Sequence, residues 1–148
     1  MTPAFAQPTL RLTESQYATI VGHCYDGLPD EACGLLIGPL GGNGEPTGVV
    51  SEARPCRNTD ASAVTYTVDP RDMLGAMRAA EARGDEIIGV WHSHTRTDAY
   101  PSPTDVRQCV DPAWMYVIVS LRDQAPVLRA YRIRGEGIAE VAVELDRG

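Results

Sequence analysis

Short apolar runs along the chain alternate between helical and strand-like spacing. Thr13 and Gln16 match the S/T-x-x-E/Q form of a capping box, and apolar residues then follow at helical spacing, which predicts a first helix over residues 14–25. The apolar run 33–37 is typical of a short buried strand. Glycine and proline are concentrated in segment 39–47, which predicts an exposed loop.

The same alternation continues through the middle of the chain. Segments 49–53 and 64–68 are predicted as strands from their apolar and β-branched residues. Asp69 and Pro70 are residue types preferred at the N-cap and first position of a helix, and Gly84 is typical of a helix end. The apolar face predicted for this second helix consists of Met73, Leu74, Met77 and Ala80.

The second half of the chain supplies the predicted centre of the sheet. Residues 86–92 form a short apolar run between charged and loop-like segments, which predicts a central strand. A further helix is predicted to begin at Ser102, and three strands over 116–121, 127–133 and 138–145 complete the chain. Strands interleaved with helices predict an α/β fold with a central mixed sheet flanked by helices.

Length and composition predict one globular domain spanning residues 1–148, with residues 1–8 as a flexible N-terminal extension. The formal net charge of -7 argues against nucleic-acid binding, because nucleic-acid-binding proteins neutralise phosphates with clustered lysine and arginine. No apolar run reaches the roughly 20 residues needed to span a bilayer, and the N-terminus lacks the basic and apolar regions of a signal peptide. We therefore expect a cytoplasmic protein without a membrane partner, in which the four widely spaced cysteines are reduced thiols.

Two histidines flank Ser93 at the end of the predicted central strand. In an extended segment alternate side chains project from one face, so His92 and His94 lie roughly 6 to 7 Å apart at the backbone and are able to chelate one cation. Zinc suits two imidazole nitrogens and a carboxylate oxygen, with a fourth position left for water. Asp105 is the candidate third ligand, because the helix start at Ser102 turns it back toward the strand end. Its alternative role is to complement the helix dipole.

Amide hydrolysis at such a metal also needs a group that accepts a proton from water and delivers it to the leaving amine. Glu31, just before the predicted strand 33–37, is the candidate base, with a solvated surface glutamate as the alternative. Ser102 is the candidate donor of a hydrogen bond to the oxyanion of the tetrahedral intermediate. An N-cap hydroxyl is a sufficient alternative reason for serine at that position, and the two roles are compatible.

These residues together resemble the JAMM motif of the MPN-domain metallopeptidases: Glu31, then His92 and His94, then Ser102 after seven intervening residues and Asp105 after two more. The resemblance implies a cytidine-deaminase-like MPN fold and one Zn²⁺ per chain, bound by the two histidines and the aspartate. It also implies that the glutamate is the general base and that the serine helps to stabilise the intermediate. The chain is too short for the insertions with which eukaryotic deubiquitinating relatives grip two ubiquitins, so polyubiquitin is a poor substrate hypothesis.

Segments 30–34 and 94–102 are similar to the compact bacterial members of this family, which process ubiquitin-like sulfur-carrier proteins. That similarity implies a carrier partner with a C-terminal Gly-Gly, and hydrolysis of the following amide to release cysteine in cysteine biosynthesis. Two alternatives remain open: trimming of a carrier precursor for another sulfur-incorporating pathway, and non-catalytic binding of a ubiquitin-like partner. A zinc nucleoside deaminase is disfavoured, because there is no H-x-E with a downstream P-C-x-x-C. Arg57 and Asn58 lie in a loop for which contact with the carrier is one hypothesis, and a plain solvated loop is the preferred interpretation.

Overall fold

The computed structural model describes residues 8–109 and 111–147. The helices and strands, in chain order, are β1 (Leu10–Thr13), α1 (Glu14–Asp26), β2 (Cys33–Gly38), β3 (Glu52–Cys56), α2 (Pro70–Arg83), β4 (Glu86–His94), α3 (Pro103–Arg107), β5 (Met115–Ser120), β6 (Val127–Arg134), β7 (Gly137–Val141) and β8 (Val143–Asp146). The flexible extension predicted for residues 1–8 lies, except for its last residue, outside the described residues. No helix in the described part of the chain is long and apolar enough to cross a membrane.

Six strands form one mixed sheet in the order β3-β2-β4-β5-β6-β7. The β4–β5 pair is parallel, and the other neighbouring pairs are antiparallel. Buried residues of α1 belong to one apolar core and those of α2 to another, so the sheet lies between two helical layers. β1 and β8 form a separate two-stranded parallel sheet. The predicted central mixed sheet flanked by helices is confirmed.

β4 lies inside the large sheet, with β2 and β5 on either side. Trp91 belongs to the core on the α1 side of the sheet, and Val90 belongs to the core on the α2 side. Because successive residues of a strand face opposite ways, His92 and His94 project on the α2 side and Ser93 on the α1 side. The predicted central strand is confirmed, and it continues to the second histidine.

Two strand predictions in the middle of the chain need correction. The strand predicted at 49–53 is shifted to Glu52–Cys56 and includes Pro55, which is tolerated because β3 is an edge strand and proline lacks a backbone N–H. The segment predicted as a strand at 64–68 is a loop, apart from one isolated bridge. The side chain of Asn58 bonds the backbone groups that a neighbouring strand would otherwise bond.

The apolar face predicted for α2 is partly wrong. Ala76 and Ala80 are buried, whereas Leu74 and Met77 are 46% and 54% exposed. Small side chains let the helix approach the sheet closely, so its buried face follows the alanines rather than the larger residues. Gly84, which has a φ of 73°, ends the helix as predicted.

The strand predicted over 138–145 is two strands that belong to different sheets. β7 pairs with β6 in the large sheet, and β8 pairs with β1. β1 has only four residues and is not predicted from the sequence. A strand this short has too few residues for an alternating pattern to be recognised.

Gly34 on β2 leaves the space that the indole of Trp91 occupies. A Cβ atom at Gly34 would lie 2.1 Å from Trp91 Cζ2 and 2.5 Å from the carbonyl oxygen of Arg54. The buried indole also donates a hydrogen bond from Nε1 to the Leu35 carbonyl at 3.2 Å, which opposes any shift of the ring. Gly34→Ala is therefore expected to lower the free energy of unfolding by about 3 kcal/mol, measured by denaturant titration.

Gly22→Ala is the matched control for this substitution. Gly22 is an exposed residue within α1, and nothing lies within 4 Å of a Cβ atom added there. Alanine is the better helix former, so the free energy of unfolding should rise by about 0.5 to 1 kcal/mol. If Gly34→Ala were as stable as the unmodified protein, the close packing of the indole on β2 would be contradicted.

Candidate metal centre

His92 and His94 lie side by side at the end of β4. Only 2% and 4% of their respective surfaces are exposed. Their ring centroids are 5.0 Å apart. The strand therefore holds two imidazoles on one face, as the spacing predicts.

Asp105 approaches the histidines from α3. Ser102 is the N-cap of this helix: its Oγ accepts a hydrogen bond from Asp105 N at 3.0 Å, and Asp105 Oδ2 accepts one from Ser102 N at 2.9 Å. This capping box holds Oδ2 3.0 Å from His94 Nε2 and Oδ1 3.3 Å from His92 Nε2. The same helix start that caps α3 therefore orients the carboxylate toward both imidazoles.

The chemistry of these three side chains fits a metal ion. Their ligand atoms all lie within 4.8 Å of one another. Both ring nitrogens of His92 are buried without a hydrogen-bond partner among the described residues, and such groups are costly unless something binds them. His94 Nδ1 donates to the Asp98 carbonyl at 2.7 Å, an interaction typical of metal-binding histidines, and this directs Nε2 at Asp105. Two imidazole nitrogens and one carboxylate oxygen are a donor set that suits zinc.

Burial and hydrogen bonding determine the charges in this group. Burial lowers the pKa of His92 below its ordinary value and outweighs the opposing effect of Asp105. Burial also disfavours the charged forms of His94 and Asp105, but the contacts between the carboxylate and the two imidazoles are stronger. They raise the pKa of His94 and hold the pKa of Asp105 well below its usual range. The carboxylate is therefore ionised near neutral pH, which is the form that binds a metal.

Glu31 precedes β2 and borders the same site. It is only 6% exposed, and it lines a cleft of about 280 Å³ together with His94 and Ser102. Burial raises the pKa of Glu31 to about 8, His94 opposes this increase, and Asp105 adds to it. The structure thus brings the predicted base, one predicted ligand and the predicted oxyanion donor to one cleft, and the surface-glutamate alternative does not describe this residue.

Backbone hydrogen bonds hold the segment of Glu31 on two sides. Its N–H donates to the Ser62 carbonyl at 2.7 Å, and its own carbonyl accepts from Asn58 Nδ2 at 2.9 Å. The N–H of Ala32 donates to Ser93 Oγ at 2.8 Å, and the N–H of Ser93 donates to the Ala32 carbonyl at 3.0 Å. Ser93 therefore ties the segment of the candidate base to β4, on the opposite side of the strand from the histidines.

The hydroxyl of Ser102 has a confirmed capping role and a predicted catalytic role. Capping uses a lone pair of its oxygen, which accepts the Asp105 N–H. A serine hydroxyl has one hydrogen to donate in addition, and Ser102 lines the cleft. The two roles are compatible in this geometry, and the oxyanion role stays a prediction.

Residues 57–68, the cleft loop, contribute contacts that are not predicted from the sequence. Tyr66 stacks on the imidazole of His92, with ring centroids 4.3 Å apart and an interplanar angle of 22°. The Thr95 hydroxyl donates to the Ala63 carbonyl of the same loop at 3.2 Å. The loop is therefore attached both to a candidate ligand and to the residue that follows His94.

Asn58 organises the cleft loop with all of its side-chain hydrogen-bonding groups. Its Nδ2 has two acceptors and its Oδ1 has two donors, at 2.9 to 3.0 Å. These partners are the carbonyls of Glu31 and Thr65 and the N–H groups of Asp60 and Thr67. The interpretation of Asn58 as part of a plain solvated loop is wrong. Asparagine bonds nearby backbone groups in many turns. Its presence in this loop therefore does not predict the hydrogen bond from Asn58 to the Glu31 carbonyl.

Asn58→Ala is expected to lower kcat/KM by roughly 10- to 100-fold, because the backbone of Glu31 loses a donor that positions it. The free energy of unfolding should fall by about 2 kcal/mol, since the partly buried carbonyls of Glu31 and Thr65 lose their donor. Steady-state kinetics, metal content and denaturant titration measure the three effects, and metal content should not change. Asn43→Ala is the control, because the Asn43 side chain caps only the exposed turn at Glu45. Unchanged kinetics for Asn58→Ala would contradict the positioning role.

His23 has a structural role. Its Nε2 bonds the Cys56 carbonyl at 3.0 Å, and its ring meets the edge of Trp91. The four cysteines are free, and Cys24, Cys33 and Cys56 are buried. None of these residues belongs to the group of candidate ligands.

Comparisons with known proteins agree with this geometry. Residues 13–134 match the model of a family described as prokaryotic homologs of the JAB domain. The chain is similar to the CysO-cysteine peptidase of Mycobacterium tuberculosis, with 37% identity over 127 residues that cover 85% of this chain and 84% of that protein. It is also similar to the desampylase of Haloferax volcanii, with 29% identity over 142 residues that cover 93% and 96% of the two chains. The solution structure of protein DSY2949 from Desulfitobacterium hafniense superposes with a TM-score of 0.82, at 34% identity and 93% coverage of each chain.

The family match spans most of the chain and includes every residue of the candidate site. It confirms the predicted MPN-type fold, and the similarity to a named peptidase confirms the prediction of a hydrolase. The group formed by His92, His94 and Asp105 is compatible with a metal site in such a protein. The chain therefore belongs to the prokaryotic homologs of the JAB domain and is a hydrolase of the JAMM type.

Proposed function

We propose that this chain hydrolyses the amide bond after the C-terminal Gly-Gly of a ubiquitin-like sulfur-carrier protein and releases cysteine. One zinc ion per chain is held by His92, His94 and Asp105. The observation that carries the proposal is that the ligand atoms of these three residues lie within 4.8 Å of one another, and that one of them, His94, lines a small cleft together with Glu31 and Ser102. The similarity to a CysO-cysteine peptidase over 85% of the chain supports cysteine as the released residue.

Zinc bound at this site supplies Lewis acidity and lowers the pKa of water to roughly 7. Glu31 accepts a proton from the attacking water and delivers it to the nitrogen of the leaving amine. Its buried position suits this role, because burial raises the pKa of Glu31 above its ordinary value and so makes its carboxylate a stronger base toward the attacking water. Ser102 donates a hydrogen bond to the scissile carbonyl oxygen as negative charge develops there.

The proposed setting of the reaction is the cytoplasm. Four free cysteines are in keeping with a reducing compartment. A carrier tail of two glycines offers backbone hydrogen-bonding groups without side chains and suits a narrow cleft. The carrier is therefore expected to present its extended C-terminus to the site.

The experiment is an intact-mass measurement on a carrier protein that ends in Gly-Gly, with cysteine attached through its amine to the last glycine. The proposal predicts loss of one cysteine residue from the carrier, and inhibition by a zinc chelator. A carrier precursor with several residues after Gly-Gly is tested in parallel. If the precursor is trimmed and the cysteine adduct survives, cysteine release is wrong and precursor trimming replaces it. If neither substrate changes, the peptidase proposal fails for both.

A further inference from the structure

The cleft beside Glu31 and Ser102 contains one cationic side chain among its lining residues. The residues that line it are Glu31, Ala63, Val64, His94, Thr95, Arg96, Thr97, Ser102 and Thr104. Arg96 follows His94 by two positions, so the turn after β4 places this arginine in the lining of the same cleft as the candidate base. The rest of the lining is mostly small and polar, which suits a small polar ligand.

Arg96 makes no ion pair with any residue in the described ranges. Its neighbour Asp98 is paired instead with Arg122, at 2.5 Å. The guanidinium is exposed and carries none of the contacts that stabilise the fold. It is therefore available to a ligand, in a chain whose net charge of -7 otherwise disfavours anions.

A carrier that bears one amino acid after Gly-Gly has a carboxylate two bonds from the scissile nitrogen. An isopeptide to a lysine side chain has no carboxylate at that distance, and neither does a longer C-terminal extension. A guanidinium binds a carboxylate through parallel N–H donors and so recognises it specifically. A substrate carboxylate close to the carboxyl group of Glu31 needs such a cationic partner, because two carboxylates repel each other.

We propose that Arg96 binds the α-carboxylate of the departing amino acid and so makes the enzyme specific for carriers that end one residue after Gly-Gly. This inference rests on the proposed function, since it assumes a single C-terminal residue as the leaving group. Arg96 is a specificity-determining residue: it touches the substrate but takes no part in proton transfer. It selects free-carboxylate leaving groups over isopeptide-linked ones.

The test compares two substrates that differ in one group, the carrier with C-terminal cysteine and the same carrier with cysteine carboxamide. The unmodified enzyme should cleave the carboxylate form with a kcat/KM roughly 10- to 100-fold higher. Arg96→Met should lower kcat/KM for the carboxylate form by the same factor and leave the carboxamide form nearly unchanged. Arg96→Lys should restore part of the preference, because it returns the charge without the planar fork. Arg78→Met is the control, since Arg78 is exposed on α2 outside the cleft lining.

The outcomes separate this inference from the proposed function. If the Arg96→Met variant cleaves both substrates as the unmodified enzyme does, Arg96 does not recognise the carboxylate. The same conclusion follows if the variant cleaves both substrates more slowly by the same factor, with metal content unchanged. In those cases cysteine release by the unmodified enzyme still stands. If the unmodified enzyme cleaves neither substrate, the proposed function fails, and the role of Arg96 fails with it.

Discussion

Glu31→Gln is expected to lower kcat/KM by about 10²- to 10⁴-fold without loss of bound metal. Glutamine has nearly the same shape and keeps the backbone bonds of this position to Ser62 and Asn58. It cannot accept the proton of the attacking water. Glu31 also lies outside the group of candidate ligands, so metal binding does not depend on its charge.

Kinetics on the carrier–cysteine adduct and metal analysis of the purified variant check this prediction together. Asp30→Asn is the matched control, because it removes a carboxylate from the preceding position and should leave kcat/KM within about twofold. Denaturant titration of the two variants completes the comparison. If they unfold at similar denaturant concentrations, the Glu31 carboxylate has no separate role in folding. A Glu31→Gln enzyme that keeps more than a tenth of the activity would show that another group moves the proton.

His92→Phe is expected to abolish metal binding and to reduce cleavage to the rate without enzyme, yet to leave the free energy of unfolding of the metal-free protein within about 1 kcal/mol of its former value. Phenylalanine preserves the stacking on Tyr66 and has no ring nitrogens to bury. Nδ1 and Nε2 of His92 are buried without a hydrogen-bond partner in the described structure, so their removal relieves a cost. This gain offsets the loss of the 3.3 Å approach of Nε2 to Asp105 Oδ1. A core histidine that was held by hydrogen bonds would lose stability on this replacement, and metal binding would not depend on it.

Thermal unfolding with chelator and with added zinc measures both parts of this prediction. The unmodified protein should gain stability from zinc, because a ligand that binds only the folded state stabilises it, and His92→Phe should gain none. His23→Phe is the matched control: it loses the bond to the Cys56 carbonyl and should cost about 1 kcal/mol, while metal binding and activity persist. If His92→Phe still gained stability from zinc, His92 would not be a ligand.

The elements that carry the candidate ligands could be predicted from sequence because each depends on local chemistry. The two histidines share a face through strand alternation alone, and the capping box that begins at Ser102 determines where Asp105 points. The first helix follows in the same way from the box that begins at Thr13. In each case a few adjacent residues determine the local conformation.

The surroundings of the site could not be predicted in this way, because they depend on contacts between distant segments. Tyr66 contacts His92 only after the cleft loop folds over β4, and its apolar and β-branched neighbours favour a strand that does not form. The buried face of α2 depends on how closely Ala76 and Ala80 approach the sheet, which side-chain hydrophobicity alone does not indicate. The proposed role of Arg96 depends on its position in the lining of the cleft, and its place in the sequence does not reveal that position.

In the proposed mechanism, one metal ion held by His92, His94 and Asp105 is the catalytic centre. Anomalous diffraction from crystals of the zinc-loaded protein, recorded at the zinc absorption edge, locates that ion. One strong peak is expected, about 2.0 to 2.2 Å from an imidazole nitrogen of each histidine and from a carboxylate oxygen of the aspartate. An active protein whose zinc peak lies elsewhere, or whose zinc has other ligands, would show that these three residues do not form the catalytic centre.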